Sequence, residues 1–125
     1  MTVASGKYRG SQEYLLVYCK LIGAALNGKT VTYQDIAPIM GLPSSGHLMG
    51  AEIGRLLDEI NEDEHRRGRP MLSATVVGSS AVPGDGFFKL ARRLGKLQKS
   101  TRRGERSFWE AEKAAVYATW QRRLG

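Results

Sequence analysis

The 125-residue chain is 42% hydrophobic and 25% charged: enough for one modest core, too little for two, and too apolar for a disordered tail. No apolar run approaches the ~20 residues of a membrane span, MTVASGKYRG has no apolar leader segment, and the lone Cys19 has no disulfide partner, so the expectation is a cytoplasmic protein with no membrane partner. Nineteen Lys and Arg against twelve Asp and Glu give a formal net charge of +7, which favours an anionic partner.

Residues 1–10 read as a flexible arm carrying Lys7 and Arg9. Ser11 is placed to cap a helix running to about Asn27, with Leu15, Tyr18, Cys19, Ile22, Ala25 and Leu26 as its apolar face and Gly28 just past its end. Thr30-Val31-Thr32 is a very short extended piece. Thr32 with Asp35 imitates a capping box that starts a short helix, Tyr33 to Met40, in which Pro38 is a source of kinking. After a turn at Gly41 to Pro43, a longer helix runs from about Ser45 to near Arg66, striped by Met49, Ile53, Leu56, Leu57 and Ile60. Met71 to Val77 alternates weakly and reads as a strand, and Ser79 to Gly86 as a turn-rich loop. Phe87 to Leu94 is a basic amphipathic helix stopped by Gly95. A polar loop, Gln98 to Ser107, leads to a last helix capped by Ser107 with Glu110, its Trp109, Val116 and Trp120 facing inward.

This order predicts a mainly α fold with a small β component. Periodicity alone equally allows a small α+β domain, but the short turn between the two middle helices favours a winged helix-turn-helix over 11–97. The basic loop and C-terminal helix, 98–125, would pack on the same domain as an extra element.

GAALNGKT, Gly23 to Thr30, matches the phosphate-loop spacing, but it begins on the last turn of a predicted helix and no strand enters it. Cys19 reads as packing. His47 and His65 have no second ligand at metal spacing, and Ser73 has no nucleophile-elbow glycines. The expectation is therefore no catalytic set, no metal and no cofactor. The acidic run Asp58 to Glu64 reads as a solvated face, with a basic protein partner as the alternative.

Lys89 to Arg106 holds eight basic side chains and one acid, while the rest of the chain carries eleven of each, so the whole excess of positive charge lies here. Lys89, Arg92, Arg93 and Lys96 line one side of an amphipathic helix that a membrane surface or a protein core would both suit. Lys99, Arg102, Arg103 and Arg106 follow without an apolar anchor. Eight neighbouring cations with almost no acid make a nucleic acid the favoured counterpart.

VTYQDIAPIMGLP, Val31 to Pro43, resembles the helix-turn-helix of the alkylguanine-DNA alkyltransferases and alkyltransferase-like proteins. The likeness runs for some sixty residues: IGRLL (Ile53 to Leu57) is similar to the middle of that family's recognition helix, and TVV with GDGFFKLARRLG to its active-site strand, Gly-rich loop and helix. The resemblance implies a DNA-binding frame in which Tyr33 contacts a phosphate beside the target nucleotide. It places Ser73 where the alkyl-accepting cysteine sits, Ala74 where its histidine sits, and Ala51 near the intercalating arginine. Alkyl transfer and the nucleotide-flipping wedge would both be lost.

The combined expectation is a non-enzymatic winged-helix protein that binds double-stranded DNA, with RNA not excluded, largely through phosphates. Tyr33, Gln34, Ser44, Ser45, His47 and Arg55 would address a groove. Lys89, Arg92, Arg93, Lys96, Lys99, Arg102, Arg103 and Arg106 would neutralise phosphates, with Ser79 to Gly86 as wing. The alternative is an adaptor subunit of a nucleoprotein complex that uses the acidic helix half or the Trp109/Trp120 helix. A phosphate-loop nucleotidase or residual alkyltransferase is the third class.

Overall fold

The computed structural model describes residues 6–124, with side chains to Gln121. Helix α1, Gln12–Leu26, starts where Ser11 Oγ accepts from the Tyr14 N–H at 3.1 Å. It stops as Gly28 turns to φ 64 and the Lys29 N–H reaches back to the Ala24 carbonyl at 2.9 Å. That pair closes a Schellman motif, which a glycine enters without steric cost.

The buried face of α1 is Val17, Leu21 and Ala25, flanked by Tyr14, Tyr18 and Ile22. This corrects the predicted face: Leu15 is 57% exposed and Leu26 38%, and Cys19 lies in solvent rather than in packing. Two apolar stripes compete on this helix. Hydroxyls decide between them, since Tyr14 donates to Asp63 and Tyr18 to Glu64 from the same side as Val17.

Strand β1, Val31–Thr32, leads straight into α2, Tyr33–Met40. The capping box forms as predicted, with Thr32 Oγ1 accepting from the Asp35 N–H at 3.1 Å and the Asp35 carboxylate accepting from the Thr32 N–H at 2.9 Å. Pro38 lies on the exposed side, and the helix is only eight residues long. Gly41, at φ 68, ends it. Helix α3 spans His47–Arg66, two residues later than the predicted start at Ser45, and Gly46 precedes it without a side-chain cap. All five predicted stripe residues are buried.

The predicted strand Met71 to Val77 is mostly a 3₁₀ helix, Leu72–Thr75, followed by a two-residue strand β2, Val76–Val77. The Thr75 hydroxyl donates to the Leu72 carbonyl at 2.9 Å and curls the chain. Every residue from Met71 to Val77 is buried, so no inward–outward alternation exists to sustain a strand. β1 and β2 pair in parallel, Val31 with Val76 and Thr32 with Val77. A wing built as a hairpin needs antiparallel strands; here Gly78–Gly84 is a loop, tightened by the Gly78 N–H on the Val82 carbonyl at 2.8 Å.

Helix α4 is Asp85–Arg93 and α5 is Arg102–Leu124. The start of α5 is a correction: Thr101, not Ser107, receives the Gly104 N–H at 3.2 Å, so most of the predicted polar loop is helical. Trp109, Val116 and Trp120 do face inward, and the Trp109 indole N–H donates to the Ala74 carbonyl at 2.8 Å. Helix α5 thereby packs on α1 and on the 3₁₀ segment, so the chain is mainly α with a small β component.

Residues 1–5 lie outside the described residues, but 7–9 are not loose. The Glu59 carboxylate accepts the backbone N–H groups of Lys7 at 2.9 Å, Tyr8 at 3.1 Å and Arg9 at 2.7 Å. Lys7 and Tyr8 also hold Glu52, and Arg9 holds Asp63. The acidic run is therefore not a solvated face: Glu59, Asp63 and Glu64 are buried, the last under Arg69 at 2.8 Å.

Candidate nucleic-acid interface

Gln34, Ser44, Ser45, His47, Leu48, Ala51 and Arg55 are all exposed along the helix-turn-helix and the first turns of α3. Gln34 Nε2 reaches the Ser44 carbonyl at 3.4 Å and ties the start of α2 to the turn. Leu48 is 54% exposed, an apolar side chain left in water at the helix start. Lacking a side-chain cap, the first N–H groups of α3 keep their partial positive charge on this surface.

A cleft of about 360 Å³ opens beside α3, lined by Tyr33, Ala51, Arg55 and Asp58 and by Pro83, Gly84 and Phe87 of the segment after β2. Asn61 and Ser73 line it as well. Asn61 Nδ2 donates to Ser73 Oγ at 2.6 Å, and the Ser73 backbone N–H donates to Asn61 Oδ1 at 3.1 Å. Asn61 and Asp58 are site residues that the sequence reading missed. The signal for Asn61 was present, because it continues the Ile53–Leu57 row at the same four-residue spacing and is as buried as its apolar neighbours.

Burial and the nearby Asp58 push the Tyr33 phenol above its ordinary range. The ring is half-buried, and the hydroxyl lies close against Gly84 at the edge of the cleft lining. Burial likewise pushes Asp58 up to about 6, against the pull of Arg93 at 3.5 Å.

The basic stretch divides in a way that corrects its reading as a run almost without neutralising acid. Arg92 pairs with Glu105 at 2.8 Å, Arg93 with Asp58, and Lys96 with Glu112 at 2.6 Å. Lys89, Lys99, Arg102 and Arg103 are exposed and have no ion pair among the described residues. Arg106 lies over the Trp109 ring, 5.8 Å from its centroid.

A second cleft, also about 360 Å³, lies between the 82–85 loop, α4 and the first turns of α5, with Arg102 and Arg106 on its rim. Pro83 lines both clefts. Arg55 lines the first cleft and Arg102 and Arg106 the second, so the same loop borders both groups.

The phosphate-loop spacing at Gly23 to Thr30 falls on the end of α1, where the backbone N–H groups of residues 27–29 are taken by helix carbonyls. Among the described residues, no group of three His, Cys, Asp or Glu is placed to hold a metal, and no helix is long and apolar enough to cross a membrane. No protein-family model, curated protein or solved structure matches the chain.

Proposed function

We propose that this chain is a non-enzymatic protein that binds double-stranded DNA, chiefly through backbone phosphates. The observation that carries the reading is the shared loop: Pro83 lines both clefts, and the clefts carry Arg55 of α3 in one and Arg102 and Arg106 of α5 in the other. A duplex laid across that loop meets cations on both sides, and the uncapped start of α3 adds a further phosphate-seeking end. Tyr33, Gln34, Ser44, Ser45 and His47 would face the groove in this arrangement.

The absence of catalysis is part of the proposal and rests on the cleft's chemistry. Ser73 is engaged by Asn61, and neither His nor Cys lines the cavity.

The test is titration of a labelled random duplex across a salt series, with duplex RNA as comparator. A log–log slope of about −0.9 per neutralised phosphate is expected. Changing Lys89, Lys99, Arg102 and Arg103 to Glu should nearly abolish binding with the fold intact, since none of these four makes an ion pair among the described residues. Undiminished affinity in that variant would move the interface elsewhere.

The adaptor reading is kept by a different surface from those first considered. Glu59, Asp63 and Glu64 of α3 and Trp109 and Trp120 of α5 are buried within the chain, whereas Leu15 and Leu16 on α1 stand in solvent. An adaptor would dock there. Leu15→Glu with Leu16→Glu should then release a protein partner and leave duplex binding unaltered.

A further inference from the structure

The cleft beside α5 deepens the duplex-binding reading and rests on it. We infer that this hollow seats one backbone phosphate of the bound nucleic acid. Arg102 and Arg106 are four residues apart on α5, one helical turn, which puts them on one face of the helix, and both line the cleft. Two planar forks on one face suit the oxygens of a tetrahedral anion. Pro83 and Phe88 give the hollow an apolar wall, which lowers the local dielectric and strengthens the attraction.

The charge balance inside the cleft favours an anion. Its acids are Asp85 and Glu105, and Arg92 already holds Glu105 at 2.8 Å. That leaves two guanidiniums against Asp85 alone. The Trp109 ring under Arg106 orients that side chain without neutralising it. Lys99 and Arg103 belong to the same basic run but do not line the cleft. The run therefore has two kinds of cation: a seated pair and a diffuse pair.

The experiment uses the whole chain and two probes, inorganic phosphate and a short random duplex, followed by NMR of backbone amides and arginine Nε–H groups. Both probes should shift Arg102, Arg106 and residues 82–85, and inorganic phosphate should shift these more than any other signal. Arg102→Gln with Arg106→Gln should remove the phosphate response and cost about tenfold or more in duplex affinity, the worth of one charge-assisted hydrogen bond. Lys99→Gln with Arg103→Gln, which removes the same formal charge, should cost distinctly less. Asp85→Asn should tighten phosphate binding, an outcome that a damaged fold does not mimic.

Equal losses in the two double variants, or duplex binding that leaves Arg102 and Arg106 unshifted, would overturn the seat while leaving duplex binding in place. Phosphate shifts in a chain that binds no duplex would reduce the cleft to a site for the free anion, sinking the parent reading and this inference with it.

Discussion

At Tyr33 the ring packs against the core from the first turn of α2, while its hydroxyl faces Gly84 so closely that a Cβ there would stand 3.3 Å away. No hydrogen bond engages that hydroxyl among the described residues. A phenol that packs by its ring and offers its oxygen to a cleft can serve stability and binding through separate atoms. Tyr33→Phe keeps the first and removes the second. Duplex affinity is expected to fall by about 0.5–1.5 kcal/mol, the net worth of one hydrogen bond, with the melting temperature unchanged. A lowered melting temperature with unaltered affinity would make the hydroxyl structural. Ser73 should behave in the opposite way. Its Oγ satisfies the buried Asn61 amide, so Ser73→Ala should destabilise the fold by about 1–3 kcal/mol in a denaturant melt. Incubation with an alkylguanine duplex should leave the chain's mass unchanged, and a stoichiometric gain on Ser73 would make the protein a transferase.

The acidic end of α3 shows how one element organises others. Successive backbone N–H groups of residues 7–9 close around one Glu59 carboxylate, forming an anion nest in which the anion is the protein's own. Arg9 and Tyr14 both converge on Asp63. Burial opposes ionisation of Asp63, but the hydrogen bonds from Tyr14 and Arg9 win and hold its carboxyl below the ordinary range. Glu59→Gln should therefore unfasten the arm. Amide exchange at Lys7, Tyr8 and Arg9 is expected to accelerate to near the unprotected rate, with a stability loss of about 1.5–3 kcal/mol; retained protection would show that some other contact holds the arm. None of this was legible in the sequence, because a run of acids reads as solvated unless its partners are known, and these partners lie some fifty positions away. What was legible is local. The Thr32–Asp35 capping box, the five-residue stripe of α3 and the glycine stops after α1 and α2 each depend on neighbours within one or two turns. The misplaced face of α1 and the late start given to α5 failed for the same reason as the acids. Either stripe of α1 and either cap of α5 is locally adequate, and only tertiary contacts choose between them.

Across the whole molecule the formal +7 is not spread over a uniform surface. Three cations of the basic stretch pair with acids, and one of those acids, Asp58, is the group in the first cleft with the most perturbed acidity. Burial raises it to about 6, with Glu62 and Glu59 adding to the effect and Arg93 from α4 opposing it. A carboxyl whose folded pKa exceeds its unfolded value of about 3.9 favours folding fully only below that unfolded value. Its contribution is lost as pH rises through about 6. Asp35 and Asp63 are shifted the other way, Asp35 by the hydrogen bonds with Thr32, so their contribution is present above about 3.9 and lost as pH falls through their depressed folded values. The two trends meet in a stability maximum at about pH 4, above which the Asp58 contribution falls away until about pH 6. The Asp58 side chain is 38% exposed, so solvent screening keeps its share modest, below about 1 kcal/mol. Asp58→Asn should raise the melting temperature at about pH 7.5 and flatten the fall between about pH 4 and pH 6.5. The same variant removes a negative charge beside Arg55 and releases Arg93, so at neutral pH it should also tighten duplex binding. A variant that keeps the wild-type pH dependence of melting would clear Asp58 of that role, and one that binds duplex more weakly would show that the Asp58–Arg93 pair orients the interface instead of restraining it.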